Sequence, residues 1–203
     1  MGLLGRLQFG AGAPACCWRP QKGGSRTGWV EDLAVEGEGL GRSRGGLTSK
    51  IHLAVDGRGL PMSILVTPGQ AGDNPQLLPL LDQVSVRRVG PGRPQRRPQR
   101  VIADKAYSHP STRHALRTRA IAFTCPERSD QIARRKAKGP AGGRPPTFDS
   151  DIYRHRNVVE RCFNRLKQFR GLATRYAKRV AYYRAEVVIA TIALWLRDSQ
   201  DTP

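Results

Sequence analysis

Apolar and polar positions along this chain follow two periods. Over residues 50–56 they alternate, with Ile51, Leu53 and Val55 on one side, and Asp56-Gly57 supplies a turn. Residues 61–67 form a second, largely apolar run closed by Pro68-Gly69, so the pair predicts an antiparallel hairpin. Asp73 or Asn74 then caps a helix with Pro75 in its first turn. Leu77, Leu78, Leu80 and Leu81 form its apolar side, and Pro79 weakens it. An arginine-proline linker over residues 87–100 leads to Val101-Ile102-Ala103, a short strand that ends at Asp104. A helix over 108–119 and a strand over 121–125 follow, then a long polar, basic loop over 126–148. Asp149 or Ser150 caps the helix that carries Glu160, and a last helix covers about residues 180–197. The sum predicts an α/β domain, a mixed sheet with flanking helices.

The helix around Glu160 changes the picture from fold to chemistry. At about 100° per residue, Tyr153, Arg156, Glu160 and Lys167 share an arc of about 80°. Val158, Val159, Cys162, Leu166 and Phe169 share the opposite side, an arc of about 100°. One face suits a core; the other shows a carboxylate among cations and a phenol. Such a carboxylate stays ionised and can bind a hard cation, while the cations meet phosphate. Asp104 stands where a buried strand stops, the place where open α/β sheets put active groups. The plainer alternative is a strand-end Asp that caps the next turn or pairs with Lys105. Two carboxylates from separate elements, in a cationic chain, suggest Mg²⁺ or Mn²⁺ and phosphodiester chemistry.

Charge narrows the partner. The 203 residues hold 35 Lys and Arg against 16 acids, a formal charge of +19, which points to a polyanion, above all nucleic acid. The cations cluster, at Arg87 to Arg100, at Arg134 to Arg144, and in seven positions from Arg161 to Arg179 with no acid among them. Gly92-Arg93-Pro94 and Gly143-Arg144-Pro145 each set Arg between Gly and Pro, which suits either a narrow minor groove or plain phosphate contact. With Trp18, Trp29 and Trp195 the only tryptophans, no base-stacking platform is indicated. The cysteines Cys16, Cys17, Cys125 and Cys162 lack zinc spacing, and Cys162 reads as a reduced core thiol, which fits a cytoplasmic protein. No run reaches the roughly 20 apolar residues of a membrane span. His52, opposite the apolar side of its strand, reads as a surface or DNA-facing residue, and His109 as a turn residue. Residues 1–40, rich in Gly and Ala without a clear period, predict poor order.

A resemblance joins these pieces. Gly41-Arg42-Ser43-Arg44-Gly45-Gly46-Leu47-Thr48-Ser49-Lys50-Ile51-His52, Thr67-Pro68-Gly69-Gln70, Ala103-Asp104-Lys105-Ala106-Tyr107, Gly142-Gly143-Arg144-Pro145-Pro146, the run from Arg156 to Lys167 and Ala173-Thr174-Arg175-Tyr176 carry it. Over about residues 41–197 the chain resembles bacterial insertion-sequence transposases of the DDE type, in the group named for insertion sequence five. The spacing Tyr153-x2-Arg156-x3-Glu160-x6-Lys167 is its most specific part. The resemblance implies an RNase H-like fold, with catalysis on double-stranded DNA at terminal inverted repeats and target sites. It implies an Asp, Asp and Glu holding two Mg²⁺ or Mn²⁺ ions, with Asp104 the second acid and Glu160 the third. Tyr153, Arg156 and Lys167 are implied at DNA phosphates, and a homo-oligomer in the synaptic complex.

The front of the chain departs from that pattern. The first acid belongs on a strand upstream of residue 41, and Asp32, in Trp29-Val30-Glu31-Asp32-Leu33, is the one Asp there. The expectation is therefore an incomplete domain that lacks the first central strand: a truncated transposase, or a downstream half paired with the product of an upstream reading frame. Two rival readings follow. One is a non-catalytic, basic DNA-binding remnant; the other is a basic RNA-binding structural module.

Overall fold

The computed structural model describes residues 7–10, 39–43, 46–88 and 90–200. The alternating run forms β3 (Gly46–Val55), and the apolar run after it forms β4 (Pro61–Pro68), paired antiparallel as the sequence predicts. Gly59 makes the connecting turn possible. Its φ is +90°, a region that L side chains rarely adopt, and an added Cβ would lie 2.9 Å from Val158 Cγ1. Asp56 closes the same turn by accepting from the Arg58 and Leu60 amides at 2.9 and 2.8 Å.

The sheet differs from the expectation at its centre. The strand β1 (Leu7–Gly10) lies between β3 and β5 (Arg100–Ile102), antiparallel to the first and parallel to the second. The expected gap in the sheet is therefore filled, and from within residues 1–40. A short apolar strand without periodic context is invisible as a pattern; its partners on both sides define it. Most of residues 1–40, with Asp32, Trp18, Trp29, Cys16 and Cys17, lies outside the described residues. The order runs β4, β3, β1, β5, β6 (Ala122–Thr124), with β2 (Gly41–Ser43) paired to the start of β3. Along that row only β3 runs against the others.

Both faces of the sheet are covered. On one, Ile51, Leu53, Val55 and Ile64 pack with α5 (Asn157–Lys167), α6 (Arg170–Thr174) and α7 (Val180–Gln200). On the other, Ala54, Val101 and Ala103 pack with α1 (Leu77–Asp82), α2 (Pro110–Thr118) and Tyr107. This second layer corrects the reading of His52. The side chain does point away from Ile51 and Leu53, but into the second core rather than to the surface. Its Nε2 lies 2.8 Å from the Thr67 hydroxyl and its Nδ1 3.4 Å from the Tyr107 hydroxyl. Alternation marks a solvated side only when the sheet has one bare face.

The 126–148 loop is a second correction. It contains α3 (Ser129–Ala137) and a 3₁₀ turn at Gly139–Gly142. No residue of α3 is buried, so no apolar stripe announced it. No helix among the described residues is long and apolar enough to cross a membrane.

Candidate active site

Asp104 follows β5, and its local role is the plain one. Its carboxylate caps the 3₁₀ turn Lys105–Tyr107, accepting from the Lys105 amide at 2.6 Å. Its carbonyl accepts from the Cys125 thiol at 3.2 Å, which ties the end of β5 to the residue after β6. One oxygen of the carboxylate remains available, on a half-buried side chain.

The helix of the signature is not one continuous α-helix. Asp149 caps α4 (Ser150–Arg154) through the Asp151 and Ile152 amides, both at 3.0 Å. Between α4 and α5 the ladder tightens, with Arg156 N–H donating to Tyr153 C=O and Val159 N–H to Arg156 C=O at 2.9 and 3.0 Å. Tyr153 therefore sits on α4, Arg156 directly precedes α5, and Glu160 and Lys167 stand on α5 itself. The tight turn keeps the relation that a single wheel expects. Arg156 donates to the Glu160 carboxylate, and its guanidinium lies 5.8 Å from the Tyr153 ring centroid.

Packing rather than that ion pair fixes α5. Val158, Val159, Cys162 and Leu166 are buried as the apolar arc expects, and Phe169 packs against the same cluster. Each large apolar side chain buried this way contributes about 1.5–3 kcal/mol. The Arg156–Glu160 pair leaves the Glu160 side chain 54% exposed, and an exposed i,i+4 pair contributes only about 0.3–0.5 kcal/mol. The pair is thus cheap to open, whereas the helix beneath it is not.

Electrostatics links the two acids through their neighbours. Burial pushes the Tyr153 hydroxyl above its ordinary range; Arg156 opposes this and Asp104 adds to it. For Arg156, burial disfavours the charge, but Tyr153, Glu160 and Asp104 outweigh it, so the guanidinium is held above its usual value. Asp104 and Glu160 thus act on one guanidinium from two elements, and Tyr153 stays protonated beside it. Burial pushes the Cys125 thiol up to about 12, with Arg113 opposing, so it is no nucleophile.

The remaining expected contacts are more dispersed. Lys167 is exposed about two turns along α5 from Glu160. Arg93 is exposed in the loop closed by the Val86–Gln95 bridge. Arg144 is exposed on a groove of about 570 Å³ between the start of α2 and α3, with Arg113, Arg134 and Lys138. Sequence reasoning missed Arg113, whose guanidinium donates to the Cys125 carbonyl at 2.7 Å and stacks on Phe123. It also missed Phe148, packed at 5.3 Å on the Tyr153 ring. Neither has a spacing signal. Among the described residues, no three His, Cys, Asp or Glu side chains come together as a metal cluster.

Comparison with known proteins extends this geometry. The family model for the transposase DDE domain matches residues 22–196. A Brucella ovis protein, described as a candidate transposase for insertion sequence element IS6501, is 34% identical over 151 residues, covering 74% of this chain and 100% of the relative. A Burkholderia cepacia protein, described as a candidate transposase for insertion sequence element IS402, is 34% identical over 131 residues. That match covers 64% of this chain and spans about half the relative, 54% of its length. No solved structure matches significantly.

Proposed function

The chain belongs to the transposase DDE domain family, and on that premise we propose that it acts on double-stranded DNA at insertion-sequence ends, with Asp104 and Glu160 as its carboxylate pair. The finer assignment, to the group named for insertion sequence five, rests on the signature spacing from Tyr153 to Lys167. An RNase H-like fold is supported by the order β4, β3, β1, β5, β6 with only β3 reversed. The chemistry proposed is phosphodiester hydrolysis followed by strand transfer. A homo-oligomer working on nucleoid DNA in the cytoplasm, over a catalytic domain of about residues 41–197 plus β1, completes the reading.

The donor set suits a hard divalent metal ion. Mg²⁺ commonly uses one or two carboxylates, completed by water and substrate phosphate. Asp104, with one oxygen spare, and Glu160, half exposed, suit one such ion. Two ions need a further acid, and β1, beside β5, offers only Leu7, Gln8, Phe9 and Gly10. When bound, a divalent ion supplies an acidified water and neutralises charge on the reacting oxygens. The chain's own residues do the rest. Arg156 leaves Glu160 for a DNA phosphate, which the small worth of the exposed pair permits. Tyr153, kept protonated, donates to phosphate, and Lys167 holds the backbone further along. Arg93 and Arg144 meet the flanking duplex.

What supports this reading is the match to the DDE domain over residues 22–196, with Asp104 directly after β5 and Glu160 on the exposed face of α5. The test is nicking of a terminal-repeat duplex in Mg²⁺ or Mn²⁺. Glu160→Gln should abolish nicking and keep DNA binding; equal nicking by that variant removes Glu160 from the site. A second reading is favoured by the absence of a carboxylate on β1. In it the chain binds repeat ends without cutting them, unless another chain supplies the missing acid. Unaltered DNA binding with no nicking by the parent chain supports that reading.

A further inference from the structure

The arginine-proline linker between α1 and β5 folds into an element of its own. Val86 and Gln95 exchange both backbone hydrogen bonds, at 2.9 and 2.7 Å, which closes a hairpin. Below that bridge Val84 and Pro98 are buried and root the hairpin in the fold. Above it Arg87, Arg88 and the tip Gly90-Pro91-Gly92-Arg93-Pro94 are exposed. Gly90 and Gly92 hold φ of +108° and +138°, and nothing lies within 4 Å of where their Cβ atoms would stand. The tip is therefore narrow and bare, and Arg93 is the one long side chain on it.

We propose that this hairpin reads the minor groove of A·T-rich duplex DNA. Arg93 enters the groove, and Arg87, Arg88, Arg96 and Arg97 hold the phosphates beside it. Charge selects the partner. No acid occurs from Gln83 to Ala103. The acid just before that stretch, Asp82, is engaged by Arg119 at 2.6 Å. Among the described residues, none of the five hairpin guanidiniums has a carboxylate partner, so all are available to a polyanion. The make-up of the tip selects the groove. The major groove, about 12 Å wide, takes a helix or ribbon that reads base edges with several polar side chains. This tip has a single one among glycines and prolines, and Pro91 and Pro94 offer no amide N–H. A lone guanidinium senses groove width and potential, and both favour the A·T-rich minor groove, about 6 Å wide. The hairpin is rooted before the start of β5, whereas Asp104 follows the other end of that strand. The proposal therefore rests on the reading of the chain as a binder of duplex DNA, and not on the carboxylate pair.

The test is binding of the full chain, by fluorescence anisotropy, to three duplexes of equal length that carry an A·T, a G·C or an inosine·cytosine tract. Inosine lacks the guanine amino group, so its pair with cytosine shows the minor groove of A·T and the major groove of G·C. The parent should bind the A·T and inosine·cytosine tracts at least about fivefold tighter than the G·C tract. Arg93→Ala should bring the three affinities together. Arg87→Ala should instead weaken all three alike and lower the salt slope by about one. A parent that treats inosine·cytosine as G·C reads the major groove, and one that binds all three alike touches phosphate only; either result overturns the proposal. So does an A·T preference that Arg93→Ala retains. A parent that binds none of the duplexes overturns the underlying DNA reading along with it.

Discussion

At the scale of single residues, the proposed site centres on Arg156. It is half-buried, holds Glu160, faces the Tyr153 ring and feels Asp104. Its ion pair is weak, so Arg156→Ala should change unfolding free energy by less than about 0.5 kcal/mol in a denaturant titration. The same variant should weaken binding to a repeat-end duplex, which a gel-shift titration measures. His52 makes the opposite kind of contribution, to stability alone. Burial lowers its pKa from the ordinary 6.5; Asp73 opposes this and Lys50 adds to it. The unfolded chain therefore takes up the proton first. Stability is fully present above the ordinary value and falls as pH drops through 6.5 towards the lowered folded value. The urea midpoint should drop between about pH 7.5 and 5.5, with a slope of at most about 1.4 kcal/mol per pH unit from this group. His52→Gln should flatten that slope. An unchanged slope in the variant would assign the pH response elsewhere.

At the scale of elements, α5 shows how a pattern becomes a site. Its apolar arc was legible because four of its members are buried at helical spacing, so its polar face had to carry Glu160 outward. Leu166→Ala should cost about 2–5 kcal/mol in thermal or denaturant unfolding, while Lys167→Ala, the next residue and exposed, should be near neutral. The hairpin β3–β4 and the strand leading to Asp104 were equally legible, each from a local period with turn residues at its ends. Three features were not. The helix α3 buries nothing, so no periodic signal exists to read. His52 needed the second core layer to be known. The short strand β1 is specified by neighbours 43 or more residues away, and no local pattern records that. The motif Thr67-Pro68-Gly69-Gln70 also proves structural: Thr67 holds His52, and a Cβ on Gly69 would lie 2.1 Å from Thr48 Oγ1. The register pairs Gln8 with Ile102, so position 10 falls level with Asp104. Gly10→Asp should therefore raise Mn²⁺-dependent nicking at least about tenfold over the parent. No rise would mean that β1 does not face the carboxylate pair.

At the scale of the whole molecule, the cationic surface and the two-sided core divide the work. The core holds β5 and α5 in fixed relation, and in the proposed reading the charge draws DNA to their exposed ends. Affinity for any duplex should fall steeply with salt, and that slope alone does not separate cutting from mere binding. The distinguishing question is whether Asp104, after β5, and Glu160, on α5, serve one ion. Electron paramagnetic resonance of Mn²⁺ bound to the DNA complex counts that ion directly. The parent chain should hold about one ion per site, lost in both Asp104→Asn and Glu160→Gln while DNA binding persists. Mn²⁺ retained at the parent level by both variants would contradict the shared site.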